Sequence, residues 1–164
     1  MKAIKIIKRV GACVSLVSAI LICILISLIM IQYNYESGSS TSFYLSTFLG
    51  NTYSSYQFIF FVVIFAFPII AGLIDNKISS IAISSLGIAF LIPLLINIFK
   101  ATEPFTTFEY NGVTMASCVL NPSLFVDIIG LILIMLSFVV MLISSLFIKD
   151  KAKWLKEESY TKTP

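Results

Sequence analysis

Four stretches of the chain run for 17 to 25 residues with almost no charge, and nothing else in the sequence restricts the possible folds as severely. Residues 10–31, 58–74 and 78–99 hold no Lys, Arg, Asp or Glu, and residues 124–148 hold only Asp127. An apolar run of about 18 or more residues reads as a membrane-spanning helix, because about 20 residues cross the hydrocarbon layer. Residues 58–74 fall one short of that mark. Only Asp75-Asn76-Lys77 separates them from 78–99, so the two runs read as a helical hairpin. Hydrocarbon offers no water to the backbone, which must therefore bond within each segment, and this makes the runs helices despite their many Ile and Val residues. The alternative, core helices of a soluble protein, leaves too little polar chain to cover four such runs, since 59% of residues are apolar and 12% charged. The same figures exclude a disordered chain and an ordinary soluble enzyme. The expected fold is an all-α membrane protein, a single integral domain over residues 1–164 built as a four-transmembrane-helix bundle. It leaves outer loops at 32–57 and 100–123 and a tail at 149–164.

Charge gives the orientation. Ten basic residues fall on one side of the alternating spans: Lys2, Lys5, Lys8 and Arg9, then Lys77, then Lys149, Lys151, Lys153, Lys156 and Lys162. Lys100 alone falls on the other. Basic residues beside spans stay in the cytoplasm, which predicts a multi-pass protein of the cell membrane with both termini cytoplasmic. The net charge of +3 thus follows from topology and implies no nucleic-acid partner. Residues 10–31 exceed the apolar core of a cleavable signal, about 7–15 residues, and read as an uncleaved anchor. Six tyrosines (Tyr33, Tyr35, Tyr44, Tyr53, Tyr56 and Tyr110) fall on the outer side, where amphipathic rings suit the interface. Trp154 suits the inner one. The basic tail reads as ordinary inside charge, with attachment to anionic lipid as the alternative.

The outer loops carry strand signals. Asn111-Gly112 between β-prone runs marks a two-residue hairpin, because both turn positions need positive φ. Gly50-Asn51 between residues 43–49 and 52–58 gives a weaker hairpin signal, and a short interfacial helix fits there equally well. One hairpin alone is marginal in water, so the two loops are expected to pack as a small extracellular β element of two to four strands. Ser123, after Asn121-Pro122, is the expected N-cap of the fourth span.

Asp127 is the only charged residue inside a span, and such residues are functional candidates by default. It lies about one turn into the fourth helix, roughly 5 Å below its start. Asn97 and Lys100 close the third helix at similar depth. A structural contact of Asp127 with Lys100 or Asn97 is the expected arrangement, and a proton or cation site is the alternative. Small residues form stripes: Gly11, Ser15 and Ala19 in the first helix, Ser80 and Ser84 in the third, and Gly130, Ser137 and Ser144 in the fourth. Such stripes let helices approach closely, within one bundle or across a homodimer. Pro68 and Pro93 should kink their helices. Cys13 and Cys23 lie ten residues apart on one helix, too far to bridge, and Cys118 has no outer partner in this chain.

Several chemistries lack their parts. There is no histidine, no C-x-x-C and no Gly-rich phosphate loop, so no catalytic residue, metal site or cofactor is expected. The paired membrane cysteines of the vitamin K epoxide reductase type are missing, as is the first-span carboxylate of small multidrug exporters. With both ends inside, a larger first outer loop and a β-prone outer face, the layout is similar to that of claudin-like tetraspan proteins. Their Trp and paired-Cys signature is absent, so the likeness is one of topology. The expected role is a non-enzymatic accessory, structural or protective (immunity-like) subunit. Its partners would be the lipid bilayer and a membrane protein or a second copy, with a small oligomeric transporter or channel as the alternative.

Overall fold

The computed structural model describes residues 2–102, 109–110 and 113–148. In chain order the elements are α1 (Lys2–Leu25), β1 (Ile29–Tyr35), β2 (Ser40–Tyr44), α2 (Leu45–Tyr53), α3 (Phe58–Leu73), α4 (Lys77–Thr102), β3 (Glu109–Tyr110), β4 (Val113–Leu120) and α5 (Pro122–Leu146). Helices α1, α4 and α5 are each long and apolar enough to cross a membrane. At 1.5 Å per residue they measure about 36–39 Å, against about 30 Å of hydrocarbon. Helix α3, about 24 Å long, qualifies only together with α2, from which it is bent by 104°.

The four long helices close a ring in which α1 packs on α3 and α5, and α4 packs on the same two. Small residues set the approach. A Cβ added to Gly87 of α4 would lie 2.6 Å from the ring of Phe138 in α5, and one on Gly130 would lie 2.9 Å from Ile22 of α1. At the end of the bundle where α1 begins, the Lys5 ammonium pairs with Asp75 at 2.6 Å. The Lys8 ammonium donates to the Ile74 carbonyl at 2.6 Å, satisfying an acceptor left over at the end of α3. Asn76 begins α4 by accepting the Ser79 N–H through its side-chain oxygen.

The first span differs from its expected bounds of 10–31 at both ends. Helix α1 begins at Lys2, because Lys and Arg are good helix formers that need no apolar surroundings. It stops at Leu25, and Ile29–Ile31 belong to a strand. Those residues are apolar because Met30 and Ile31 are buried beneath a sheet, not because lipid surrounds them. A register shift between Ile29 and Ile31 lets two successive residues face inward before strict alternation resumes at Tyr33 and Tyr35. Strands β2, β1 and β4 form a three-stranded antiparallel sheet, with the two-residue β3 paired to β4. Tyr110↔Val113 pairing frames the expected hairpin, whose Asn111-Gly112 tip lies outside the described residues, as does the tail 149–164.

The Gly50-Asn51 hairpin does not form, and the other reading, a short helix, holds over α2. Leu45, Phe48 and Leu49 are buried at helical spacing, so one face docks while the rest stays polar. The expected cap also moves. Asn121 is the N-cap of α5 with Pro122 at the first helical position, while the Ser123 hydroxyl donates to the Ile29 carbonyl at 2.6 Å. The expected proline distortion of α3 takes the form of a π turn over Val62–Ala66, just before Pro68, which lacks the N–H a regular turn would use.

Candidate functional site

Asp127 projects from the buried face of α5, one turn from Leu124 and one from Leu131, both also buried. Its exposure is 0%, and neither carboxyl oxygen has a hydrogen-bond partner among the described residues. The two residues expected beside it are engaged elsewhere or turned away. Asn97 donates its amide to the Thr52 hydroxyl at 2.9 Å, and that hydroxyl donates to the Phe48 carbonyl at 2.7 Å. Lys100 is exposed near the C-terminal end of α4. The ion pair between Lys5 and Asp75, at the opposite end of the bundle, is the only one among the described residues.

The loop segments between the long helices are bonded to the same end of the bundle. The Asn121 N–H donates to the Met30 carbonyl at 2.9 Å, so β1 is tied to the start of α5. The Tyr33 hydroxyl donates to the Ala101 carbonyl at 3.1 Å, tying the same strand to α4. Tyr33 packs against Phe43 with ring centroids 5.0 Å apart, and Phe43 reaches Phe48 of α2. At the far end of α2, the Tyr53 ring stacks on Phe90 at 4.2 Å and its hydroxyl donates to the Phe90 carbonyl. Phe90 lies three residues before Pro93, which sits inside the continuous helix α4. Tyr33 and Tyr53 therefore clamp the outer layer to the bundle, beyond the interfacial role that their chemistry suggests.

Two features of this cap carry no distinctive sequence signal. Ser54, between α2 and α3, has φ +49° with ψ −122°, a positive-φ conformation that residues other than Gly rarely adopt. The π turn of α3 lies on the same outer half, and such turns recur at functional sites. Only the adjacent Pro68 marks the second in sequence, and nothing marks the first.

The small-residue stripes lie inside the chain's own bundle. Gly11, Ser15, Ala19, Ser80, Ser84, Gly130, Ser137 and Ser144 are all buried. A Cβ at Gly11 would meet Met141 at 3.3 Å. The Ser80 and Ser145 hydroxyls lie 2.7 Å apart and tie α4 to α5, while the Ser15 and Ser84 hydroxyls have no partner among the described residues. Cys13 and Cys118 are exposed and Cys23 is half-buried, and all three are free thiols. Among the described residues, no group of three or more His, Cys, Asp or Glu is placed to hold a metal ion.

Comparison with protein-family models, curated proteins and solved structures finds no match. The functional reading therefore stands on the chain's own geometry.

Proposed function

We propose that this protein is a four-span integral protein of the cell membrane, with both termini cytoplasmic. In this reading it is a non-enzymatic accessory, structural or protective subunit that recognises a membrane partner or an outer ligand. One observation carries this: segments from both outer loops join in one sheet, through β1–β4 pairing, and that sheet is bonded to the bundle at Met30, Ile29 and Tyr33. A folded, anchored outer layer presents fixed groups and loses little entropy on binding. Its outward row includes Gln32 with Ser42 and Val119 opposite, and amide and hydroxyl groups of this kind suit recognition. The ten-to-one bias of basic residues supports the orientation. Reporter fusions at each terminus should both report the cytoplasm. Crosslinking in cells followed by extraction in mild detergent should recover a second protein, and recovery of this chain alone would refute the recognition role.

The buried, unpartnered carboxyl of Asp127 favours a second reading, a small oligomeric transporter or channel. That reading requires flux in liposomes holding the pure protein, lost in Asp127→Asn. Absence of flux under an imposed gradient would remove it.

A further inference from the structure

We infer that the ion bound by Asp127 is a proton, which moves along the bundle through the buried hydroxyls of Ser15, Ser84 and the Ser80–Ser145 pair. Asp127 of α5, Ser15 of α1 and Ser84 of α4 are each 0% exposed, and theirs are the buried side-chain oxygens without a hydrogen-bond partner among the described residues. They come from three helices of one ring. Helix contacts fix their heights. A Cβ at Gly130 of α5 would lie 3.8 Å from the Ser18 carbonyl oxygen, and one at Gly11 of α1 would lie 3.5 Å from the Ser137 carbonyl oxygen. Ser15 therefore stands between positions 130 and 137 of α5. A Cβ at Gly87 would meet the Phe138 ring, and Ser80 bonds Ser145, so Ser84 stands between positions 138 and 145. Ser145 follows Asp127 by about five helical turns, roughly 27 Å, against about 30 Å of hydrocarbon.

Chemistry selects the occupant. A metal cation needs several oxygens converging on it, and among the described residues no three of His, Cys, Asp or Glu do so. No basic side chain neutralises the carboxyl either. Helix α3 and strand β1 hold no charged residue, and Lys100 of α4 is exposed and makes no ion pair with it. Lys2, Lys5, Lys8 and Arg9 precede Gly11, which stands beside Ser137, about 15 Å along α5 from Asp127. Lys77 begins α4 beyond Ser80, farther still. A proton needs only one oxygen, and it removes the charge that an unpaired buried carboxylate would otherwise carry. Between the polar steps, Leu131, Ile134 and Phe138 of α5 are fully buried, a dry interior that bars a hydrated metal ion. Buried waters settle on polar groups that lack partners, so Ser15 and Ser84 are the points where single waters bind. Each hydroxyl or water accepts a proton on a lone pair and releases its own to the next group, and the relay consumes nothing.

This inference deepens the transport reading above and rests on it, and the test separates the two. The pure protein is reconstituted in phosphatidylcholine vesicles, with a potassium gradient and valinomycin making the lumen negative. Pyranine inside reports protons, and a sodium-sensitive dye inside a parallel batch reports sodium. The lumen should acidify several-fold faster than in protein-free vesicles, with no entry of sodium. Asp127→Asn should abolish the acidification, and Asp127→Glu, which restores an acid, should keep part of it. Ser15→Ala with Ser84→Ala should slow it several-fold while leaving thermal stability unchanged or raised, because the hydroxyls removed have no partners among the described residues. Entry of sodium, with or without acidification, overturns the proton assignment and leaves the transport reading standing. Acidification that survives Asp127→Asn overturns the inference, as does an unchanged rate in the double serine variant. Movement of neither ion removes the transport reading, and the inference falls with it.

Discussion

Replacing Asp127 should make the protein more stable. Both carboxyl oxygens are buried without a hydrogen bond, between Leu124 and Leu131 along the helix. A buried polar group without a partner costs about 1–3 kcal/mol, and replacing such a group with an apolar one is often stabilising. Asp127→Leu should therefore gain about 1–3 kcal/mol, reduced wherever the extra methyl groups overfill the site. Asp127→Ala cannot overfill and should gain about 1 kcal/mol, the relief of desolvation outweighing a small cavity. Asp127→Asn keeps two buried polar atoms without partners and should gain least. For a chain of this size each kcal/mol moves Tm by about 2–4 °C. Thermal unfolding in mild detergent, followed by near-ultraviolet circular dichroism, reads the series. An order of Leu or Ala above Asn above the parent sustains the argument. Loss of more than about 1 kcal/mol in all three variants, the scale of a hydrogen bond, would show that the carboxyl is bonded, and would refute the sealed, unpartnered site.

Three further outcomes follow from the packing. Gly87→Ala places a methyl 2.6 Å from the Phe138 ring and should destabilise the bundle by about 1–3 kcal/mol. Phe138→Leu in the same chain should recover part of that loss, and strict additivity in the double mutant would show that the two residues do not touch. Tyr53→Phe removes the hydroxyl that holds α2 to the Phe90 carbonyl and should lower stability by about 1 kcal/mol. Hydrogen exchange should then rise over residues 45–56, and unchanged protection there would mean that stacking alone holds the helix. Cys118 is an exposed residue of the outer sheet, yet partial burial pushes its thiol pKa up. Maleimide reacts with the thiolate, so the raised pKa slows labelling at neutral pH and moves its rise with pH upward. A membrane-impermeant maleimide added outside should label Cys118 at a rate still climbing at about pH 9, above the ordinary thiol pKa of about 8.5. A plateau below that pH would contradict the shielding, and labelling only after lysis would contradict the orientation.

The helices were legible because apolar length is a strong signal. The spans expected at 58–74, 78–99 and 124–148 correspond to helices that begin or end within about a turn of those limits. The error at 10–31 has a definite cause. Hydropathy reports removal from water without saying whether lipid or protein does the removing, and Met30 and Ile31 satisfy it beneath a sheet. The strand signal within residues 29–35, alternating apolar and polar from Ile31 onward, was masked by the apolar run it continued. The Gly50-Asn51 signal was overridden because the buried face of Leu45, Phe48 and Leu49 outweighed a local turn preference. Asp127 stood out in the sequence as the one charge in a span. Its lack of a partner among the described residues could not be read there, because Thr52, which engages Asn97, comes from α2, 45 residues away.

The outer cap also changes what depth means for Asp127. About one turn from the start of α5, the carboxyl would reach water or loop donors if the bundle mouth were open. Here β1 is bonded to the residues that open α5, and α2 is clamped to α4 by Tyr53 and Thr52, so protein fills the place that water would occupy. The buried carboxyl therefore belongs to the same bundle to which the sheet and α2 are bonded. A partner that pulled on α2, whose join to α3 holds Ser54 in a strained conformation, would expose the carboxyl as it bound. Under the proposed recognition role, binding at the sheet and the single charge within would be parts of one mechanical unit. A partner that binds the sheet without disturbing α2 would leave Asp127 sealed.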